Sequence, residues 1–218
     1  PSGMVAHTSE KNTISMLDEI QKYLYNRGEY IPKQEQTFAP ALCNRIDRNT
    51  EGIVIAAKNA AALRMMNEII RERHIQKIYI AITSAHLPKT SDTCTAWLKK
   101  DEIRNQVAVS DKPLDKNWKQ IQTRYEVLAV SGSHHLVRIT LLTGRTHQIR
   151  AHFAHLGAPI LGDPKYNTTK SAEENQCLCA WELQFPHSES PIFSALSGKT
   201  IRTPLPVFVK KYFPDFTV

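Results

Sequence analysis

Apolar residues in this chain repeat with two periods, and the elements can be marked off where one period gives way to the other. Lys77 to Thr83, with Ile78, Tyr79, Ile80, Ala81 and Ile82, reads as a strand, and Leu136-Val137-Arg138-Ile139-Thr140-Leu141-Leu142 alternates like another. Segments near 93–98, 106–109 and 122–130 add strands, 178–185 and 199–203 complete the sheet, and 53–57 reads as a fully buried strand. Helical spacing takes over elsewhere. Ile14, Leu17, Ile20 and Leu24 share a face behind a Thr13 cap and stop by Gly28, and Leu63, Met66, Ile69 and Ile70 share a face over 60–73. Ile149, Phe153 and Leu156 run into Gly157, where a helix takes a left-handed cap. A short helix is expected near 206–212, and the stretch up to Ala41, with Pro32 and Pro40, reads as loop. Strands joined by short connections pair antiparallel, so the predicted class is α+β, a mixed, mostly antiparallel sheet flanked by helices.

Two turns carry the candidate chemistry. Asn44-Arg45-Ile46-Asp47-Arg48-Asn49-Thr50-Glu51-Gly52-Ile53 wedges a carboxylate between two arginines at the entrance to a buried segment. Positive charge on both sides favours an ionised acid, a poor general acid and a plausible nucleophile or electrostatic anchor. A surface ion pair would read the same way. The second turn, Thr143-Gly144-Arg145-Thr146-His147-Gln148-Ile149-Arg150, joins a strand to a helix. It delivers Arg145, Thr146 and His147 near a helix N-terminus, whose free N–H groups and dipole suit an anion. Arg150, about one turn further on, can either reach a carboxylate brought from elsewhere or lie exposed on its helix.

These residues resemble the RluA-type family of pseudouridine synthases, which isomerise uridine in RNA. The family's first signature, approximately His-Arg-Leu-Asp-Arg-x-Thr-Ser-Gly-Leu, corresponds to Asn44 to Ile53, and its later one, Thr-Gly-Arg-Thr-His-Gln-Ile-Arg with a following His, to Thr143 to Arg150 with His152. A Gly-Asp-x-x-Tyr piece stands at Gly162-Asp163-Pro164-Lys165-Tyr166, and Pro1-Ser2-Gly3-Met4-Val5 is similar to the family's Lys-Pro-x-Gly opening. The resemblance covers nearly the whole chain and implies the pseudouridine synthase fold with a central RNA-binding cleft. It also implies that a lysine and a leading strand precede this sequence, together with any S4-like module. Asn44 replaces the usual histidine and Glu51 the common serine; Glu51 would add negative charge near the RNA path and bear on target choice.

Uridine-to-pseudouridine conversion breaks the bond from N1 to the sugar and joins the sugar to C5 of the same base. No redox change or group donor is involved, so no cofactor and no metal are expected. The resemblance implies that Asp47 is the essential carboxylate, attacking the sugar carbon or assisting glycosidic cleavage, with Arg150 as its partner. It implies that Tyr79 stacks on the extruded uracil and receives or relays the C5 proton, although a core tyrosine is the alternative from the strand alone. Arg45 would enter the stack vacated by the target nucleotide. Arg48, Thr50, Arg145, Thr146 and His147 complete the expected RNA-binding set. The expected partner is large-subunit (23S-type) ribosomal RNA, with transfer RNA second, chosen by loop shape. A metal hydrolase built on His147, His152, His155 and Asp163 lacks the one-turn histidine pair of a zinc helix. A non-catalytic RNA-binding module would need basic and aromatic residues but no central acid.

Composition changes this picture little. A chain of 218 residues, 41% hydrophobic and without a linker or repeat, reads as one domain over 1–218. The formal charge of +7 suits a polyanion without requiring one. Four scattered cysteines argue against a disulfide framework and for a reducing compartment, with Cys177 and Cys179 read as core thiols. No apolar run approaches the roughly 20 residues that span a bilayer, and the expected setting is a cytoplasmic monomer without membrane contact.

Overall fold

The computed structural model describes residues 1–8, 13–32, 38–101 and 106–218, so part of the loop read for the stretch before Ala41 lies outside the described residues. In chain order the elements are α1 (Met16–Asn26), β1 (Ala41–Leu42), β2 (Glu51–Gly52), β3 (Ala56–Ala57), α2 (Ala60–Arg71), β4 (Gln76–Thr83), β5 (Ser91–Asp101) and β6 (Gln106–Ser110). They continue with β7 (Lys119–Ser131), β8 (His134–Leu141), α3 (Gln148–His155), β9 (Leu178–Gln184), a 3-10 turn (Pro191–Phe193), β10 (Thr200–Arg202) and α4 (Val207–Tyr212). The eight-stranded sheet runs β10-β9-β4-β8-β7-β5-β6, antiparallel throughout that path, and β2 lies parallel to β9.

Alternation along the central strands divides the core. Ile78, Ile80 and Ile82 of β4 pack with Leu136, Cys177, Cys179, Trp181, Val209 and Phe213 on one face. Ala81, Val137, Ile139 and Tyr125 meet Ile149 and Phe153 of α3 on the other. Successive side chains of a strand point to opposite faces, so Tyr79 falls on the α3 face. Met66 and Ile69 of α2 close a third cluster with Leu183, Phe185 and Phe193.

Two readings need correction. Helix α1 is capped by Ser15, not Thr13: the Ser15 hydroxyl accepts from the Asp18 N–H while Asp18 takes the Ser15 N–H at 2.8 Å. This capping box starts the helix two residues later and leaves Ile14 63% exposed. The strand read at 53–57 is broken as well. The Ile53 N–H goes to the Ala180 carbonyl at 2.9 Å, and the Ile55 N–H to the Asn44 side chain at 2.7 Å. Only Ala56 and Ala57 keep a strand pairing, with β1. The apolar side chains there serve packing against α2, where Ile53 and Ile55 join Met66 and Ile69, and not a continuous ladder.

Candidate active site

Ala180 is the junction that brings the two sequence turns together. In β9 it lies opposite Tyr79 of β4, just past an irregularity in which Trp181 is left over between the two strands. On its other side it pairs with Gly52, the residue that ends the Asp47 turn. Gly52 has φ +121, and a Cβ there would lie 2.3 Å from the Ala180 carbonyl oxygen, so only glycine permits this approach. The rest of the turn is fastened by Thr50, whose N–H returns to the Asp47 carbonyl and whose buried hydroxyl accepts from Gln176 at 3.1 Å.

In the second turn Gln148 is the main fastening, beside the Thr143 hydroxyl, which accepts the Gln122 N–H at 2.9 Å. The Gln148 amide oxygen accepts from the Thr143 hydroxyl at 2.9 Å and the Arg145 N–H at 3.1 Å, and its amide nitrogen donates to the Gln122 carbonyl and the Thr123 hydroxyl, both at 3.1 Å. The backbone then enters α3 through His147, which holds a left-handed φ of 52° with no side-chain cap. Helix geometry carries Arg150 inward, where it is only 5% exposed.

Arg150 clamps two carboxylates. Its Nε and Nη2 donate to Asp163 at 2.6 and 2.9 Å, and its Nη1 donates to Asp47 Oδ2 at 2.9 Å. Burial alone would make the guanidinium easier to deprotonate; the bonds to Asp163 and then Asp47 reverse this and raise its pKa. Asp163 is itself saturated, accepting the Lys165 and Tyr166 N–H groups. The second group near the clamped oxygen is His147 Nε2, 4.0 Å from Asp47 Oδ2. Burial lowers the His147 pKa, opposed by Asp47 and helped by Arg150 and Lys165, so the ring is neutral at neutral pH. Asp47 Oδ1 carries no protein hydrogen bond among the described residues.

A cleft of about 290 Å³ opens beside this carboxylate. Asn44, Arg45, Asp47, Thr50, Lys77, Tyr79, Leu141, Arg145, Thr146, His147 and Arg150 line it, so most of the residues singled out in the sequence meet in one place. Burial, then the Asp47 charge, push the Tyr79 phenol well above its ordinary pKa. Arg45, Lys77 and Arg145 offer side chains to the cleft that have no partner among the described residues.

Two expected residues fall elsewhere. Arg48 is exposed and donates to the Gly3 carbonyl at 3.1 Å, so it pins the turn to the first residues of the chain and does not line the cleft. The arginine bracket read around Asp47 is therefore replaced by a clamp from Arg150, more than a hundred residues away in sequence. Glu51 lines a different hollow with Ser2, Glu173 and Lys211 and does not line this cleft. The histidines of the rival metal reading do not converge: His152 binds Thr123, His155 binds Asp111, and Asp163 is taken by Arg150. Among the described residues no cluster could hold a metal ion. Cys177 and Cys179 are buried core thiols, pushed up to about 12 by burial. The role of Asp163 as the second arm of the clamp was missed; its signal was the Gly-Asp-x-x-Tyr piece itself.

The profile of the RNA pseudouridylate synthase family matches residues 1–155. An uncharacterized RNA pseudouridine synthase of Mycoplasma genitalium is 32% identical over 209 residues, 92% of this chain and 64% of that protein. The ribosomal large subunit pseudouridine synthase C of Vibrio cholerae is 35% identical over 156 residues, 68% of this chain and 48% of that one. The chain thus spans about half the length of the curated relatives it matches. The structure of human RNA pseudouridylate synthase domain containing 4 superposes with a TM-score of 0.75 at 22% identity, covering 95% of this chain and 84% of that one, which shows a shared fold. With its profile match running through both turns and α3, the chain belongs to the RNA pseudouridylate synthase family.

Proposed function

We propose that this chain converts uridine to pseudouridine in structured RNA of the large ribosomal subunit, acting as a cytoplasmic monomer, with Asp47 as the central group. The observation that carries this reading is a carboxylate held through Oδ2 by Arg150, its Oδ1 without a hydrogen bond among the described residues, in the lining of a cleft of about 290 Å³. A cleft of this size has room for a nucleoside, and the proposed target leaves its stack to enter it. That step costs on the order of a few kcal/mol, least in a loop. Arg45, exposed at the rim, is suited to fill the gap, and the face of Tyr79 to hold the uracil.

In the reaction the C1′–N1 bond breaks, the base turns, the C1′–C5 bond forms, and C5 gives up a proton as N1 gains one. Asp47 supports the sugar carbon, by attack through Oδ1 or by assisting departure of the base. Arg150 pairs with that carboxylate in a site from which the bound base excludes water. Tyr79, its proton held by burial and by Asp47, enters as a neutral phenol. Lys77, Arg145 and Thr146 meet phosphate and sugar oxygens. Relatives named ribosomal large subunit pseudouridine synthases C and D support the choice of RNA.

The test is incubation with a large-subunit ribosomal RNA transcript and chemical detection of pseudouridine. The expected outcome is a modified site that Asp47→Asn loses by at least about 10³-fold in rate. RNA affinity should survive within about threefold, because binding rests on the cations. Equal loss of binding and turnover would remove the assigned role of Asp47, and modification of transfer RNA alone would redirect the target.

A further inference from the structure

Behind His147 runs a short line of hydrogen bonds that starts in the sheet and ends beside the carboxylate. The Val107 N–H of β6 donates to the Tyr166 hydroxyl oxygen at 2.9 Å. The same oxygen lies 2.8 Å from His147 Nδ1. With its oxygen already receiving an N–H, the phenol has its single proton to give, and among the described residues the imidazole nitrogen is the acceptor recorded within reach. A neutral imidazole that accepts at Nδ1 carries its own proton on Nε2. That nitrogen is the one 4.0 Å from Asp47 Oδ2.

We propose that Tyr166 is a positioning residue: its hydroxyl, oriented by the Val107 amide, holds His147 with Nε2–H turned to the Oδ2 side of Asp47, leaving Oδ1 as the oxygen that meets the sugar. The proposal rests on the isomerase reading for its kinetic consequence, and on these distances together with a ring kept neutral by burial for the state of the ring. Arg150 already neutralises charge on Oδ2, and an N–H from a neutral ring adds a directed dipole there without adding another cation. The charged and titratable groups facing His147 are Asp47, Arg150, Asp163, Lys165 and Tyr166. Tyr166 is also in contact with the clamp itself, since the Arg150 guanidinium lies 5.4 Å from its ring centroid. Removing only the hydroxyl separates these two duties.

The experiment uses the full chain with nitrogen-labelled histidine. In the unsubstituted protein the His147 spectrum should show a protonated Nε2 and an accepting Nδ1; in Tyr166→Phe it should become a mixture of tautomers. Turnover should fall about tenfold in kcat, the loss of one hydrogen bond, with KM within about twofold. His147→Gln keeps a donor near the Nε2 position without needing the phenol, so adding Tyr166→Phe to it should cause no further loss. Protonation at Nδ1 in the parent protein, an unchanged ring state in Tyr166→Phe, or full additivity of the two substitutions would overturn the proposal. Because the spectrum needs no turnover, a parent protein that modifies no RNA would defeat the isomerase reading while the ring state still decides the relay.

Discussion

Helices α2 and α3 bury their side chains for different reasons. α2 hides Met66 and Ile69 against other apolar groups, and its polar residues stay in water. α3 hides Gln148, Arg150 and His152 along with Ile149, Ala151 and Phe153. Each buried polar group of α3 has a partner from another element: Gln148 on β7, His152 on Thr123, and Arg150 on Asp47 and Asp163. Even the entrances differ. Asn59 caps α2 by accepting the Ala62 N–H at 2.8 Å, whereas α3 begins at a left-handed histidine without a side-chain cap. One helix stabilises through area removed from water, the other through pairings that are expensive to break singly.

The sharpest way to break this contrast is Asp163→Ala. It strands part of a buried guanidinium, so unfolding in urea should show a loss of about 3–5 kcal/mol, with turnover falling as well. A loss below about 1 kcal/mol would mean that α3 tolerates an unpaired charge. Next comes acid. Burial lowers His152 from 6.5 to about 4, so between those values the unfolded chain binds a proton that the folded one refuses. Stability therefore falls as pH drops through that window, by roughly 3 kcal/mol in total, and His147 and His135, also lowered, push the same way. Unfolding midpoints measured across the window in the parent and in His152→Phe should diverge in slope. Met66→Ala in α2 should cost about 2–3 kcal/mol yet leave turnover per folded molecule unchanged. Smallest is Asn59→Ala, about 1 kcal/mol from the lost cap, read as a modest shift in thermal midpoint.

The same contrast explains what could be read in the sequence. Strands β4 to β8 and the apolar stripe of α2 follow from local periodicity, and the turn at 143–150 from Gly144 and the residues around it. Arg150 was open to two readings, partner or surface arginine, because periodicity cannot tell an inward polar residue from an outward one. Its second partner, Asp163, depends on where the loop after α3 returns. The turn at 44–50 misled in a similar way: Arg48 sits beside Asp47 in sequence but bonds Gly3, because the backbone turn sends neighbouring side chains apart. The break at 53–57 had a local cue in Gly52, yet its cause is the Ala180 backbone across the sheet.

The side chains of Arg45, Lys77 and Arg145 face the cleft without any partner among the described residues. The grip on Asp47 runs through Arg150 and not through them. On the proposed reading these cations meet the RNA backbone, and replacing them one at a time is expected to lower affinity and its salt dependence while the Asp47–Arg150 pair stays in place.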